Sequence, residues 1–347
     1  MSFYAQEIHG PFQVADIGDF VLEEGFTIRG CQIAYATFGM LSPAKDNAIL
    51  VTTWYSGTSK IMEQVYIGAG RALDSEKYFI VVVNQIGSGL SSSPHNTPAP
   101  FNGPHFPHVR IGDDVRAQHV LLTQLGIAKL ALVVGGSMGA QQTYEWAVRY
   151  PDMVQRAAPI AGFAKNSDHD FIFTRSLIMA LKSDPAFTDG WYASSDEVHA
   201  GLRRHAGIWA YMGLCPDFYR HELWRGLGFA SAEDFVVGFV EAYFLPMDPN
   251  DLLCMAWKWQ RGDVSRHTNG DVAAALGRIK AKTFVMPINT DQFFPVLDCE
   301  AEQKLIPNSE LRVLTSQWGH FALFGVEPEY NAQIDQHLKD LLSISVP

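Results

Sequence analysis

The run Gly135-Gly136-Ser137-Met138-Gly139, inside LVVGGSMGAQQTYEWA, sets a serine in the pattern G-x-S-x-G. An apolar β-rich run precedes it and a segment of helical periodicity follows. A serine on such a strand-to-helix turn projects its hydroxyl as a nucleophile, in a strained backbone conformation. Side chains flanking the turn would strike the neighbouring strand and helix, which glycines at 135 and 139 avoid. The helix amides just beyond favour negative charge. A serine hydroxyl is a poor nucleophile unless a base accepts its proton.

Where a serine stands on this kind of elbow, an acid and then a histidine follow it in chain order. TFVMPINTDQFFP places Asp291 beyond a strand-like run, and LRVLTSQWGHFALF places His320 beyond the next. Taken singly, Asp291 could cap a helix and His320 could be a packed core imidazole. Their shared register after Ser137 favours a triad, with His320 as general base and acid and Asp291 orienting it. Two backbone amides must then hold the oxyanion. Met138 supplies one. The loop WYSGTS after AILVTTW supplies the other, from Tyr55, with Trp54 as the alternative.

Other motifs carry less. GAGRAL follows no strand, and GSGLSSSP lacks the lysine of a phosphate loop. His95, His105 and His108 fall in a proline-rich loop without the spacing of a helical metal pair. No metal site is expected. Cys31, Cys215, Cys254 and Cys299 form no C-x-x-C pair and read as reduced, buried thiols.

These residues need a frame to hold them. FQVADIGDFVL and FTIRGCQIAYATFG alternate as an antiparallel hairpin would. AILVTTW, YFIVVVN and LALVVGG are short apolar runs of the kind a parallel sheet buries on both faces. VQRAAPIAG, KTFVMPINT and ELRVLTS continue the series, helical segments intervene, and EYNAQIDQHLKDLL closes the chain. The alternation predicts a doubly wound, mostly parallel α/β sheet. From about Lys165 to Lys280 the strands stop and helix-like segments rich in aromatics take over. A loop that long would be implausible, so residues 165–280 are expected to form an inserted helical lid on a core of 1–164 and 281–347.

The bulk numbers narrow the function. Of 347 residues 47% are hydrophobic, enough for a large core, and the formal net charge of −11 counts against nucleic acid and anionic membrane as partners. Neither a secretory leader nor an apolar run of membrane-spanning length is visible, so a cytoplasmic location is expected.

The quoted stretches, with GAGRALDSEKYFIVVVN, VRAQHVLLTQLGI, VVGGSMGAQQTYEWAVRYPDMV, DVAAALGRIKA, DQFFP and WGH, resemble the homoserine O-acetyltransferase family along nearly the whole chain. The resemblance implies an α/β-hydrolase fold and a triad of Ser137, Asp291 and His320. It also implies a lid through which two copies could pair, and acyl transfer from acyl-CoA to a hydroxyl. Three departures stand out. That family has aspartate directly after the histidine, where this chain has Phe321, and a phenyl ring cannot balance the ammonium of homoserine. The loop after the fourth strand is altered to NQIGSGLSSSP. The lid arginine that grips the homoserine carboxylate has only Arg204, in GLRRHAGIWAY, as its nearest counterpart.

The expectation is therefore a serine-nucleophile hydrolase of a small ester, thioester or amide, needing no cofactor and taking a small acyl substrate. The alternatives are an O-acyltransferase with acyl-CoA as co-substrate and an acceptor other than homoserine, or a ligand-binding protein on the same fold. Trp54, Arg204, Trp209, Tyr211, Trp318 and Phe321 are the candidates for the substrate pocket.

Overall fold

The computed structural model describes residues 3–346. Among these the strands are, in chain order, β1 at Gln13–Asp16, β2 at Phe20–Val21, β3 at Thr27–Ile28, β4 at Gln32–Phe38 and β5 at Ala48–Thr52. There follow β6 at Phe79–Val83, β7 at Leu132–Gly136, β8 at Arg156–Ile160, β9 at Lys282–Val285 and β10 at Ser309–Leu311. Eight of them form one sheet in the order β1-β4-β6-β5-β7-β8-β9-β10. The first two pairings, β1 with β4 and β4 with β6, are antiparallel, and from β6 to β10 every neighbour is parallel. The expected N-terminal hairpin is present in nested form: β1 pairs with β4, and the tiny β2–β3 ribbon lies in the connection between them.

The central strands are apolar because both of their faces are covered. Every residue of β5 and β7 is buried, as are four of the five in β6. β-Branched residues fit such a surface, and Ile49, Val51, Ile80 to Val83 and Val133-Val134 supply it. β5 and β7 are direct neighbours, with Thr52 opposite Gly135. The loops leaving their C-terminal ends therefore emerge side by side, at the edge where open α/β sheets place their ligands. The connections after β9 and β10 reach the same edge two and three strands further along.

Between β8 and β9 the described chain has no strand, only the isolated bridge Lys165–Asp263 and a series of helices. The longest run over Asp168–Lys182, His199–Met212 and Pro249–Gln260. Their starts are written in the sequence. The Ser167 hydroxyl accepts the Asp170 amide, and Asp248 accepts the Asn250 and Asp251 amides with Pro249 at the first helical position. Residues Val236–Glu241 form a π-helical turn. The lid's aromatic residues continue the core of the sheet. The Trp209 ring lies 5.3 Å from Phe173, 5.8 Å from Trp259, 5.6 Å from Phe293 and 5.5 Å from Tyr55. Of the cysteines, Cys31, Cys215 and Cys299 are buried, whereas Cys254 on the lid is partly exposed, contrary to the expectation of four buried thiols.

Candidate active site

Ser137 joins β7 to the helix Met138–Arg149 with φ 57° and ψ −123°, in the region that residues with a side chain rarely enter. Its amide donates to the Ile160 carbonyl of β8, which pins the turn to the sheet. The glycines make the close packing possible. A Cβ on Gly135 would lie 2.0 Å from Thr52 Oγ1, and one on Gly139 would lie 2.7 Å from the Thr52 carbonyl oxygen. Thr52 uses that proximity, donating its hydroxyl to the Gly139 carbonyl at 2.8 Å.

The serine hydroxyl is 2.9 Å from His320 Nε2, and His320 Nδ1 is 2.7 Å from Asp291 Oδ2. An ionised carboxylate only accepts, so Nδ1 carries the imidazole proton and Nε2 is free to accept from Ser137. All three side chains are buried. The ring of His320 is fixed edge-on to Phe293 at 5.1 Å and tilted over Phe294 at 5.5 Å. Asp291 serves two purposes at once. Its Oδ1 accepts the amides of Phe293 and Phe294 at 2.8 and 3.2 Å, while Oδ2 faces the imidazole. The helix that follows begins at Val296 with Pro295 at its N-cap, so Asp291 caps no helix: one oxygen closes a local turn and the other faces the imidazole.

Ser137 and His320 open into a cavity of about 20 Å³ lined also by Trp54, Tyr55, Ser56, Trp209, Phe244, Phe321, Leu323 and Phe324. That is about the room one water needs. The lining holds no carboxylate, no lysine and no arginine. Met138 opens its helix, and neither its amide nor those of Trp54 and Tyr55 donates to a protein acceptor among the described residues. The Tyr55 phenol donates to the Leu252 carbonyl at 3.0 Å and lies 3.1 Å from His205 Nε2, to which Trp209 Nε1 donates at 3.3 Å. Burial lowers the pKa of His205 to about 3, which keeps it a neutral acceptor.

Trp54, Trp209 and Phe321 are thus at the cavity, and three other candidates are not. Arg204 and Tyr211 sit on the outer face of the helix His199–Met212, whose inner face carries Leu202, His205, Ala206 and Trp209. Arg204 bonds Ser183 Oγ at 3.0 Å, and the Tyr211 side chain stands in solvent. Trp318 is buried, but edge-on against Phe218 at 4.8 Å and off the cavity wall. Phe244, Leu323 and Phe324 were missed. The last two stand within four residues of His320 in GHFALFG, a proximity that could have flagged them, whereas nothing local marks Phe244 in EAYFLPM. Among the described residues no group of three or more His, Cys, Asp or Glu side chains could hold a metal ion.

A strained serine after a central parallel strand, with its imidazole and carboxylate on later strand ends, defines an α/β-hydrolase-fold enzyme of the serine hydrolase class. A family profile described as alpha/beta hydrolase fold matches residues 56–206. The chain is similar to an ethyl acetate hydrolase of Pseudomonas veronii, with 63% identity over 99% of this chain and 98% of that one. It superposes on the crystal structure of an acetylester hydrolase from Corynebacterium glutamicum with a TM-score of 0.98 at 57% identity, covering 99% of each chain. A homoserine O-acetyltransferase of Leifsonia xyli is 33% identical over 83% of this chain and 78% of its own. The chain belongs to the α/β-hydrolase family, as a divergent, hydrolase-like relative of the homoserine O-acetyltransferases.

Proposed function

We propose that the protein hydrolyses esters of short acyl groups with small alcohols, acetate esters foremost, through an acyl-Ser137 intermediate. The observation that carries this reading is the cavity: the hydrogen-bonded Ser137–His320–Asp291 line opens into a small space walled by aromatic rings and no counter-charge. The hydroxyl attacks the ester carbonyl while His320 Nε2 takes its proton, and Asp291 stabilises the imidazolium. The Met138 and Tyr55 amides receive the charge that develops on the carbonyl oxygen. His320 returns the proton to the departing alkoxide. Water then enters, loses a proton to the same nitrogen and bonds to the acyl carbon, and the acid is released as His320 returns that proton to Ser137 Oγ. None of these steps calls on a cofactor.

The small volume favours an acetyl-sized acyl group, as do the acetyl and ethyl acetate esters in the names of the similar proteins. A zwitterionic amino-acid acceptor would have to shed its hydration with no partner for either charge, at a cost of several kcal/mol. Water is the acceptor that fits. The remaining assignments are also proposals: a cytoplasmic location, consistent with no described helix being long and apolar enough to cross a membrane, and a homodimer through the lid, where Ile172 and Met179 are exposed.

Stopped-flow turnover of p-nitrophenyl acetate tests the reading. Wild type should give a burst and a fast steady phase that L-homoserine leaves unchanged, and Ser137→Ala should lose on the order of 10⁶ in kcat. A steady phase that stalls until homoserine is added would show a transferase. Full activity of Ser137→Ala would remove the serine mechanism altogether.

A further inference from the structure

The two candidate oxyanion donors after β5 are backbone amides on a loop, and a loop amide is useful only if its direction is fixed. In a trans peptide the N–H points opposite to the C=O of the preceding residue. Holding the Trp54 carbonyl therefore aims the Tyr55 amide, and holding the Thr53 carbonyl aims the Trp54 amide. One side chain holds both. Gln85, buried in the loop after β6, donates from Nε2 to the Thr53 carbonyl at 2.7 Å and to the Trp54 carbonyl at 3.2 Å. A second glutamine ties this loop to the other donor. Gln142 Nε2 reaches the same Thr53 carbonyl at 2.9 Å and the Met138 carbonyl at 3.3 Å, and its Oε1 accepts from Gln118.

Gln85 is itself held from the lid. Lys258, on the helix Pro249–Gln260, is fully buried and commits its three ammonium protons to Asp114 Oδ2 at 2.5 Å, the Ile86 carbonyl at 2.7 Å and Gln85 Oε1 at 3.5 Å. Asp114 Oδ1 accepts the Ile86 amide at 2.8 Å, so the ion pair grips the residue next to Gln85 from both sides. A buried ion pair is a poor source of stability, since a well-packed apolar pair of the same volume is often as stable. What it does supply is a single arrangement of the groups bonded to it. Here those groups are the backbone and the side chain that orient the oxyanion loop.

From this arrangement we infer that Gln85 is a positioning residue for the oxyanion hole, set in place by the buried Lys258–Asp114 pair of lid and core. Gln85 touches no substrate and acts through the Trp54 and Tyr55 amides. The inference rests on the acyl-Ser137 mechanism above. It adds that the lid is a constituent of the oxyanion hole and more than a cover over it.

The test compares p-nitrophenyl acetate with its thionoacetate analogue, whose developing sulfur anion is larger and a weaker hydrogen-bond acceptor. Gln85→Met keeps the volume and removes both donors. Losing one oxyanion donor outright costs about 10²–10³ in kcat, and a misaimed donor should cost somewhat less. The variant should lose roughly 30- to 100-fold in kcat on the oxo-ester, with KM changed by less than about threefold. The oxo/thiono rate ratio should fall at least about tenfold. A structural role alone would lower both substrates together, and an unchanged ratio in a folded variant overturns the inference. Should Gln85→Met not fold, the wild type answers the question in a crystal structure of its adduct with a methylphosphonate ester. The Tyr55 or Trp54 amide on the phosphoryl oxygen, with Gln85 still on both carbonyls, supports the inference; Gln85 turned away from them overturns it. Failure of the underlying mechanism looks different, because wild type would then form no adduct at Ser137.

Discussion

Phe321 gives the sharpest test of what limits the substrate. Its ring packs at 5.2 Å from Phe324 and 6.1 Å from Trp209, and its edge lies only 2.4 Å from where a Cβ on Gly213 would be. The Phe321 amide also donates to the Gly213 carbonyl at 3.0 Å, which fixes the backbone that carries the ring. Phe321→Ala removes that wall beside Ser137. On the proposed reading the wild type favours short acyl chains, whereas the variant offers an apolar space in which each additional methylene is worth about 0.8 kcal/mol. Butyryl exceeds acetyl by two methylenes, about 1.6 kcal/mol, so kcat/KM for p-nitrophenyl butyrate over acetate should rise about 15-fold. The truncation should cost about 3–5 kcal/mol of stability, so assays are run well below the melting temperature measured for the variant. A folded Phe321→Ala with an unchanged butyrate/acetate ratio would refute the claim that this ring limits the acyl group. So would a variant that responds only to longer alcohols in a series of acetate esters.

Asp291→Asn should lower kcat about 10⁴-fold while leaving the fold intact, because the amide can still cap the Phe293 turn but favours the wrong imidazole tautomer; kinetics beside circular dichroism would check this. Gly135→Ala places a methyl 2.0 Å from Thr52 Oγ1 and 2.7 Å from the Gly139 backbone, and should cut activity at least about 100-fold by shifting Ser137, with a lower melting temperature. The His95 side chain is 25% exposed, with Nδ1 2.6 Å from Asp251 Oδ2. Burial opposes its charging, but the hydrogen bond and charge of Asp251 outweigh that, and its pKa is raised. A raised folded-state value means that this stabilisation is lost as the pH climbs through it, and burial raises Asp251 itself to about 6, so the pair is fully formed only in the window just above that value. Melting temperature between pH 6 and 9 should therefore fall more steeply for wild type than for His95→Gln.

The Ser137 elbow was legible because its constraints are local: two glycines, a strand before and a helix after are all within ten residues. Asp291 and His320 were legible through chain order on a recognised sheet. The misplaced residues show where such reading stops. In LRRHAGIWAYM the apolar spacing of Leu202, Ala206 and Trp209 already turns Arg204 and Tyr211 outward, against the arginine that the family resemblance implies. Trp318, two residues before His320, illustrates the converse, since proximity in sequence does not say on which side of a turn a ring packs. Gln85, Gln142 and Lys258 had no sequence signature at all. Their partners lie 32, 89 and 144 residues away, and only the folded chain makes a buried glutamine different from a surface one.

The ring of Trp209 lies against rings of the inserted helices and of the core-domain loops alike, and His320 is among its neighbours at 6.5 Å. Because Trp209 packs directly against rings of the core domain, the inserted helices share their apolar contacts with it and should not melt on their own. Calorimetry should then show one transition with matching calorimetric and van't Hoff enthalpies. Heat inactivation should follow that transition without an earlier phase, and transplanting the insertion between relatives should require carrying the aromatic residues of the core-domain loops with it.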